Sequence, residues 1–382
     1  MSRPRVLLIV THLDPGGAQE TVVLLAEGLG EHGFDVTVAA RPGAEEGRVR
    51  RSGARFLPLE HLYRPVSPPR DRRAYVELRA LLAGRYDVVH THSSKAGVLG
   101  RLAARRAGVP AVVHTSHGLP VNPDMGAATR ALLTAAERLA SRACDAVVAV
   151  SEATARELED LRIARREQVV VIPSGVDVTR FAGGIDRASA RRALDLDPAA
   201  PVAGWVGRHF DQKRPADVVS AGRRIVESVP GAAFVMVGDG PLIEESRAAA
   251  AGDPRIRIVG HRGDVETVYS AIDVMLLASA WEGLPRTVIE AHAAGVPVVS
   301  TDVSGVREVV ADGTTGYLAA PGDWRTLADR AAELLRDPQR RAAMGRAAAE
   351  RVDERYSAAY TVRATAELYE SILSRKGRPA RR

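Results

Sequence analysis

Cysteine, aromatic residues and long apolar runs are scarce in this sequence. Cys144 is the one cysteine among 382 residues, which excludes an internal disulfide framework and is typical of a reducing compartment. Because it lies just before an apolar run, we interpret Cys144 as a small core residue and not as a nucleophile. The first apolar run, Val6–Val10, is too short for a signal peptide. No run reaches the roughly 20 apolar residues of a membrane span, so we expect a cytoplasmic protein.

The chain also lacks the patterns that would explain its basic charge by nucleic-acid binding. The formal net charge is +6 and the pI is about 9.7. We find no helix-turn-helix, zinc-ligand or aromatic-basic pattern, so we expect no nucleic-acid partner. Anionic substrates or an anionic membrane surface fit the charge better. A chain of this length with 46% apolar residues is expected to form two domains.

Short continuous apolar runs alternate with helical patterns along the chain. Such runs indicate strands that are buried on both faces of parallel sheets. The first set of strand candidates is Val6–Val10, Val36–Ala40, Asp87–His90, Ala111–His114, Ala146–Val150 and Val169–Ile172. The second set, after a break at Pro173–Pro201, is Val202–Val206, Ala233–Val237, Ile256–Val259, Val274–Leu277 and Pro297–Ser300. Two sets predict an α/β protein with two doubly wound, Rossmann-like parallel-sheet domains.

We predict the hinge between the domains in this break, because prolines and glycines interrupt the pattern there. The predicted parts are an N-terminal domain over 1–185, a C-terminal domain over 186–355, a helix over 356–374 and a disordered basic tail over 375–382. Arg64–Arg73, rich in proline and arginine, is predicted to be a mobile loop. Ligands of open α/β sheets bind beyond the carboxyl ends of the strands. The polar segments that follow strands are therefore expected to converge on a cleft between the domains.

The segment Ser279–Ala291, which follows a strand candidate, is the most informative part of the chain. Pro285 suits the first position of a helix, and the first N–H groups of a helix can receive an anion. Glu282 precedes the predicted helix and Glu290 lies about one turn inside it. Carboxylates suit the hydroxyls of a sugar and a ribose. The segment therefore predicts a nucleotide-sugar site in which backbone amides hold the diphosphate.

Two further segments carry features of a phosphate site. Arg208 and Lys213 flank a turn after the first strand of the second predicted domain. A planar guanidinium and a compact ammonium together suit the neutralisation of a diphosphate. Gly16 and Gly17 precede a helix in the first domain, where they let the backbone approach a phosphate closely. They do not form the Gly-x-Gly-x-x-Gly dinucleotide fingerprint.

In these segments the chain resembles glycosyltransferase family four, which comprises retaining transferases of the GT-B architecture. Glu282-Gly283-Leu284-Pro285 followed by Glu290-Ala291 looks like the signature of the family, and Arg208 and Lys213 match its Gly-Arg and Lys spacing. The resemblance covers about residues 5–373. It implies a GT-B fold with an interdomain cleft, an acceptor-binding first domain and a donor-binding second domain.

The resemblance also implies roles for single residues. Its catalytic set is His117, Arg208, Lys213 and Glu282. Its donor-binding set is Gly16, Gly17, Arg208, Lys213, His261, Arg262, Glu282, Gly283, Leu284, Pro285, Arg286, Thr287 and Glu290. Its acceptor-binding set is His12, His92, Ser93 and Lys95. Within these roles, Glu290 would hold the ribose, Glu282 would orient the sugar, and Arg262 would stack on the base.

Some residues depart from the pattern of the family or fit another interpretation. Ser304 stands where the family often has glycine, and Thr287 stands where Asn or Ser is frequent. The turn Gly238–Leu242 is interpreted as structural. Arg101, Arg105 and Arg106 are interpreted as a solvated helix face, with a membrane-surface or anionic-acceptor role as the alternative.

Neither a metal nor a cofactor is expected. His90 and His92 stand two residues apart after a strand, which is a spacing seen in metal sites, but no third ligand stands nearby. Asp195-Leu196-Asp197 matches the metal motif of another glycosyltransferase architecture. That motif requires a strand end in a cleft, whereas this one lies in the predicted linker.

These patterns and the resemblance predict a retaining, metal-independent hexosyltransferase. Its expected donor is a nucleotide-diphosphate sugar, with a UDP-linked hexose or N-acetylhexosamine favoured over guanine and adenine nucleotides. Its expected acceptor bears a hydroxyl, with a lipid-linked saccharide, a small metabolite and a protein as alternatives. If the acceptor is a lipid-linked saccharide, we expect the protein to contact the inner membrane surface peripherally. The alternative functions are a GT-B sugar-nucleotide epimerase and a non-catalytic nucleotide-sugar-binding subunit.

Overall fold

Apolar runs form the strands of the structure, a computed structural model that describes residues 3–119, 121 and 125–377. The chain divides into two units. The first unit contains Met1–Gly175 and Ala358–Arg382, and the second contains Val176–Ser357, whereas the sequence-based boundaries follow residues 185 and 355. Of the predicted basic tail, residues 378–382 lie outside the described residues.

The first unit is built on a seven-stranded parallel sheet. Its strands are β1 (Arg5–His12), β2 (Asp35–Arg41), β3 (Arg55–Pro58), β4 (Val88–His92), β5 (Ala111–Ser116), β6 (Ala146–Ala149) and β7 (Val169–Val171). They stand in the order β3-β2-β1-β4-β5-β6-β7. Every residue of β4 and of β5 is buried, as expected for strands that are covered on both faces.

Helices cover both faces of this sheet. They are α1 (Gly17–Gly28), α2 (Glu46–Arg51), α3 (Pro68–Leu82), α4 (Ser94–Arg106), α5 (Ala127–Ser141), α6 (Glu152–Asp160) and, from the end of the chain, α16 (Ala358–Arg375). A short 3₁₀ turn spans Arg166–Gln168. On one face, α1 and α16 form an apolar core that includes Leu25 and Tyr369. On the other face, α3, α4 and α6 form a second core around Leu78, Ala103 and Leu158.

The second unit has a six-stranded parallel sheet. Its strands are β8 (Val202–Val206), β9 (Ala233–Val237), β10 (Ile256–Gly260), β11 (Val274–Leu277), β12 (Val298–Thr301) and β13 (Gly316–Ala319). They stand in the order β10-β9-β8-β11-β12-β13. Trp205 on β8 and Phe234 on β9 are fully buried and belong to the same apolar core as Leu327.

The helices of the second unit precede, connect and follow these parallel strands. They are α7 (Val178–Ala182), α8 (Arg187–Arg192), α9 (Pro215–Ser228), α10 (Ile243–Ala250), α11 (Val265–Ala271), α12 (Arg286–Ala293), α13 (Val306–Val309), α14 (Trp324–Arg336) and α15 (Pro338–Arg351). Short 3₁₀ turns span Asp211–Lys213 and Glu354–Tyr356. The two doubly wound sheets confirm the predicted fold class.

Two segments in which prolines or glycines interrupt the predicted pattern contain helices. Arg64–Arg73 was expected to be a mobile loop, but α3 begins at Pro68, with proline in its first turn. The predicted hinge region contains α7 and α8, whose first turns are capped by the side chains of Asp177 and Asp186. The mobile-loop prediction was wrong because the proline at the start of α3 begins a helix and does not interrupt it. The hinge stays a prediction, and the boundary between the two units follows Gly175, within the predicted break.

The predicted solvated arginine face is wrong for one of its three members. Arg105 and Arg106 are exposed, but Arg101 is fully buried and forms an ion pair with Glu137 of α5. Cys144 is buried, as predicted. Within the part of the chain that the structure describes, no helix combines the length and the apolar character that crossing a bilayer requires.

The strand order reverses once in each sheet, and the loops on either side of the reversal diverge. In the first unit the reversal lies between β1 and β4, and in the second between β8 and β11. Open α/β sheets bind ligands at such switch points. The segments that follow these four strands are the ones from which most candidate site residues were predicted.

Candidate functional site

At the switch point of the second unit, the loops after β8 and β11 are joined by hydrogen bonds. The side-chain amide of Gln212 donates to the carbonyl of Trp281 at 2.8 Å. The Ala280 N–H donates to the carbonyl of Gln212 at 2.8 Å. Lys213 Nζ donates to Glu282 Oε1 at 2.5 Å. Arg208–Lys213 and Ser279–Glu282, two segments predicted separately, therefore form one structural unit.

The Lys213–Glu282 ion pair is the central electrostatic feature of this region. The exposed fractions of the two side chains are 14% and 7%, so solvent screens the pair little. Ser279 Oγ also donates to Glu282 Oε1, at 2.6 Å. An ammonium has three donors, and Glu282 takes one of them. Lys213 can therefore hold the carboxylate in place and still donate to an anion.

Two glycines bring neighbouring loops into direct backbone contact. A Cβ atom on Gly238 would lie 1.7 Å from the carbonyl oxygen of Gly207, and Gly238 has φ of +141°. A Cβ atom on Gly305 would lie 1.9 Å from the carbonyl oxygen of Gly283. The segment Gly238–Leu242 thus has the structural role that was predicted for it. The contact of Gly305 likewise explains why glycine follows Ser304.

Helix α12 begins at this switch point. Its first residue is Arg286. Pro285 is therefore the N-cap residue, whereas it was predicted to be the first helical residue. The first turn contains no acidic residue. Thr287 Oγ1 is buried and has no hydrogen-bond partner among the described residues. A buried hydroxyl beside N–H groups of a first turn is suited to an oxyanion.

Glu290, one turn into α12, is held by a residue that was not predicted. The Tyr269 hydroxyl donates to Glu290 Oε2 at 2.9 Å. Burial, and then the neighbouring charge of Glu290, raise the pKa of Tyr269 well above its usual value. The phenol therefore stays protonated and remains a donor, which orients the carboxylate.

The remaining predicted donor residues lie on the loops after β8 and β10. The Arg208 guanidinium lies 4.8 Å from the centroid of the Phe210 ring. Arg262 forms a bidentate pair with Asp264 at 2.9 and 2.6 Å, and this pairing lowers the pKa of Asp264. His261 is exposed. The bidentate pair fixes the plane of Arg262, and this leaves the faces of the guanidinium for stacking.

In the first unit, the loops after β1 and β4 meet through two hydroxyl groups. Thr11 Oγ1 and Ser93 Oγ share a hydrogen bond of 2.7 Å. Ser93 has φ of +63°, a left-handed conformation that is uncommon outside glycine. His12 Nδ1 accepts a bond of 3.3 Å from the Asp14 N–H. Gly16 precedes the first residue of α1, Gly17.

Histidines dominate the carboxyl ends of β4 and β5. His92 Nδ1 and His117 Nε2 share a hydrogen bond of 3.0 Å, and the ring centroids of His90 and His92 are 4.3 Å apart. His90 bonds the Tyr369 hydroxyl of α16 at 2.6 Å and Thr115 Oγ1 at 2.7 Å. Burial lowers the pKa of His90 to about 3 and that of His92 well below its usual value. These rings are therefore neutral at physiological pH.

The hydrogen bonds of His92 indicate the tautomer of His117. His92 Nε2 is buried and has no partner among the described residues. An unpaired buried N–H costs more than an unpaired lone pair, so the proton of His92 belongs on Nδ1. His92 then donates to His117 Nε2. A neutral His117 therefore carries its own proton on Nδ1 and presents it as a donor.

Two predicted acceptor residues are already engaged inside the first unit. His92 is fully buried. Lys95 donates to Asp71 at 2.6 Å and to the carbonyl of Pro65. Lys95 thereby ties the start of α4 to the start of α3. Lys95, Lys213 and Lys376 are the only lysines in the sequence, and the first two follow strands that flank the switch points of the two sheets.

Two residues of these sites could not be recognised from local sequence. Tyr269 bonds the predicted residue Glu290, and Tyr369 bonds His90, two residues before the predicted residue His92. Both tyrosines lie outside the segments from which site residues were predicted. Among residues 3–119, 121 and 125–377, no cluster of three His, Cys, Asp or Glu side chains is arranged to hold a metal ion.

Two family models match the chain. They are Glycosyltransferase Family 4 over residues 15–180 and Glycosyl transferases group 1 over residues 186–351. UDP-Gal:alpha-D-GlcNAc-diphosphoundecaprenol alpha-1,3-galactosyltransferase of Escherichia coli is 30% identical, over 80% of this chain and 81% of its own length. D-inositol 3-phosphate glycosyltransferase of Nocardia farcinica is 30% identical, over 94% of this chain and 86% of its own length.

Solved structures share the fold at lower identity. HepE of Anabaena, crystallised with UDP and glucose, is 21% identical and superposes with a TM-score of 0.82 over 96% of this chain and 100% of its own. Sucrose-phosphate synthase of Thermosynechococcus elongatus is 23% identical, with a TM-score of 0.83 over 98% of this chain and 100% of its own. The matched residues span both units.

Proposed function

We propose a specific reaction for this chain, which belongs to glycosyltransferase family four and is a glycosyltransferase of the GT-B architecture. The reaction is the transfer of a hexose or N-acetylhexosamine from a UDP-sugar to an acceptor hydroxyl, with retention at the anomeric carbon and without a metal. The product belongs to polysaccharide, glycolipid or glycosylated-metabolite biosynthesis. One observation carries this proposal. The Lys213–Glu282 ion pair joins the loops after β8 and β11 at the switch point of the second unit.

The proposed donor site uses that geometry to stabilise the leaving diphosphate. Arg208, Lys213 and the N–H groups at the start of α12 supply positive charge and donors where negative charge develops. The Thr287 hydroxyl, buried without a partner among the described residues, adds a further donor. Removing one preorganised donor of this kind typically costs about 10²–10³ in rate. This stabilisation replaces the divalent cation that other transferases use.

Three residues are assigned to the sugar and the ribose. Glu290, oriented by the Tyr269 hydroxyl, accepts from the ribose hydroxyls. Glu282, held by Lys213 and Ser279, accepts from a hydroxyl of the sugar. His117 donates from Nδ1 toward the sugar or the leaving phosphate, and buried His92 acts as its positioning residue.

Retention follows in this proposal from attack on the same face of the sugar that the diphosphate leaves. A double displacement would need a carboxylate free to attack the anomeric carbon. Glu282 is a poor nucleophile because it is bonded to Lys213 and Ser279. The leaving phosphate then takes the proton of the acceptor hydroxyl as the new bond forms.

The acceptor is proposed to be a lipid-linked saccharide at the cytoplasmic surface of a membrane. The name of the E. coli relative describes a diphosphoundecaprenol-linked acceptor, and that of the N. farcinica relative describes an inositol phosphate. The first is favoured because the first unit exposes apolar side chains, which a small, soluble acceptor does not require.

The first test is a thermal-shift panel of UDP-, GDP- and ADP-sugars with the wild-type chain and two variants, Glu290→Ala and Lys213→Ala. A ligand that binds the native state raises its stability in proportion to ln(1 + [L]/Kd). We expect stabilisation by a UDP-sugar alone and its loss in both variants. Lys376→Ala, which removes a lysine of the first unit, is the matched control and retains the shift.

The stereochemistry is tested with the donor that this panel identifies. The anomeric proton coupling of the product distinguishes retention from inversion, and an inverted product would falsify the proposed mechanism. Transfer in the presence of EDTA checks the absence of a metal requirement. If the two variants bind the donor as tightly as the wild type does, the assigned donor site is wrong.

A further inference from the structure

Helix α5 of the first unit exposes two of its three leucines and buries polar side chains. Its buried residues are Thr134, Glu137, Ala140 and Ser141. Leu132 and Leu139 are 70% and 55% exposed. Ordinary surface helices show the opposite arrangement. The exposed residues Ala128, Leu132, Ala135 and Leu139 are spaced four, three and four positions apart and form one stripe, which we call the α5 outer face.

A buried ion pair holds α5 in this orientation. Glu137 is bonded by the guanidinium of Arg101 on α4, and the same guanidinium donates to Ser141 Oγ at 3.1 Å and to the Gly97 carbonyl at 2.8 Å. The exposed fractions of the Arg101 and Glu137 side chains are 0% and 6%. Rotating α5 to bury the leucines would leave two buried charges without partners, which is strongly unfavourable. The fold therefore keeps Leu132 and Leu139 on the surface.

The exposed charged side chains of α5 itself are basic. Arg130, Arg138 and Arg142 are exposed on or just after α5, and its one acidic residue, Glu137, is buried. Helix α4 packs between α5 and α3, and α3 also contributes exposed arginines and the 58% exposed Val76. An apolar stripe flanked by arginines is complementary to a bilayer with anionic headgroups.

We infer that the α5 outer face lies on an anionic bilayer, with Leu132 and Leu139 inserted among the acyl chains. Helix α5 begins ten residues after His117, so this contact would hold the first unit beside a lipid-linked acceptor. The inference deepens the proposed function, because it rests on an acceptor that resides in a membrane. The competing occupant is a second copy of the chain, but in a symmetric pairing of two α5 outer faces the same arginines would face each other and repel.

The first experiment measures co-sedimentation of the full chain with vesicles of phosphatidylglycerol and phosphatidylcholine. The wild type is expected to bind the anionic vesicles and to bind pure phosphatidylcholine weakly. The double variant Leu132→Ser/Leu139→Ser loses two partly inserted side chains, so its partition coefficient should fall about tenfold or more. Ile185→Ser, which changes an exposed aliphatic residue of the second unit that is 41% exposed, is the matched control and should bind as the wild type does.

The contribution of charge is measured with the same vesicles. Arg130→Gln/Arg142→Gln should weaken binding about fivefold for each arginine, and the effect should shrink with added salt. Arg346→Gln, at an exposed arginine of α15 in the second unit, is the control. Equal losses in the control and the test variants would overturn the electrostatic part of the inference.

A probe on α5 tests insertion directly. Cys144 is the one cysteine and is buried, so Leu132→Cys can be labelled selectively with nitrobenzoxadiazole. Its fluorescence should rise and shift to the blue on addition of anionic vesicles, while the same label on Ile185→Cys should not change. An unchanged signal at position 132 contradicts the inference.

The outcomes separate this inference from the proposed function. If the leucine variant binds vesicles poorly but still binds the UDP-sugar, the inference is supported whatever the acceptor is. If it binds vesicles normally, the inference is wrong and the donor proposal is unaffected. If light scattering finds a dimer that the leucine substitutions dissociate, and vesicles bind neither form, then the α5 outer face is an interface between copies and the inference is overturned.

Discussion

At the switch point of the second unit, charged groups and close backbone contacts hold the loops, whereas neutral rings and hydroxyls do so in the first unit. Lys213 and Glu282 form a nearly buried ion pair, and Gly238 and Gly305 bring loop backbones together. In the first unit, His92 bonds His117 while burial keeps the pKa of His92 low. Two sheets of one architecture thus present different chemistry at equivalent places. Charge suits a diphosphate, and neutral donors and acceptors suit hydroxyl groups.

The largest expected effect is on the free energy of unfolding. It distinguishes the Arg101–Glu137 pair, which we expect to support the fold, from the Lys213–Glu282 pair, which we expect to support catalysis. Glu137→Gln leaves the buried Arg101 without a counter-charge, so the free energy of unfolding should fall by about 3–5 kcal/mol. Glu282→Gln should cost less stability, because Lys213 keeps some contact with solvent, but it should abolish most sugar transfer. Urea unfolding and a transfer assay measure the two quantities.

A double variant provides the control for the first of these pairs. Arg101→Met/Glu137→Leu replaces both charges by apolar groups, and it should recover most of the stability that Glu137→Gln loses. The comparison of the two pairs fails if Glu282→Gln costs as much stability as Glu137→Gln while transfer continues at the wild-type rate.

A smaller effect is expected where glycine permits contact between loops. Gly305→Ala places a methyl group 1.9 Å from the Gly283 carbonyl oxygen, so the loop after β12 must move away from the loop after β11. We expect a loss of about 1–3 kcal/mol in stability and an increase in KM for the donor. Gly263→Ala has no atom within 4 Å of the added carbon and should change stability by less than about 0.5 kcal/mol. Equal stability of the two variants would show that the loop contact is dispensable.

The smallest effect concerns the neutral histidines of the first unit. Burial lowers the pKa of His90 to about 3, so the unfolded chain takes up a proton there that the folded chain does not. Stability should therefore fall as the pH drops below about 6.5. His90→Phe should reduce this slope by about 1.4 kcal/mol per pH unit between pH 6.5 and 5. Denaturant unfolding at a series of pH values measures the slope.

An exposed histidine serves as the control for this slope. His32 lies at the surface of the same unit, and His32→Phe should leave the pH dependence as it is in the wild type. If His90→Phe and His32→Phe give the same slope as the wild type, the burial of His90 does not contribute to the acid sensitivity of the fold.

Local sequence was sufficient to find the interior strands and one edge strand of each sheet, and it missed the other edge strand. All eleven predicted strands are present within two residues of their predicted ends. The strands that were not predicted, β3 and β13, lie at sheet edges. In β3, the exposed residues Arg55 and Pro58 interrupt the apolar pattern, as an edge strand permits. In β13, Gly316 lies against the backbone of Val298, where a Cβ atom would be 1.9 Å from the carbonyl oxygen, so the apolar run of this strand is short.

Individual residues of the candidate site could be predicted from the sequence, but the bonds between them could not. Lys213 and Glu282 were each selected as contacts for the donor, but nothing local indicates that they bond each other across 69 residues. Arg101 was taken for a surface arginine because its partner Glu137 lies 36 residues away. Helical periodicity places a side chain on one face of a helix, and only the tertiary fold decides which neighbour covers that face.

The packing of α16 against the first sheet has a consequence for the order of biosynthesis. Tyr369, Ile372 and Leu373 complete an apolar core that also contains residues of β1 and α1. The whole second unit, Val176–Ser357, lies between these two segments in the chain. A ribosome therefore releases every residue of the second unit before it supplies the helix that closes the first. The unit that is begun first is the one completed last.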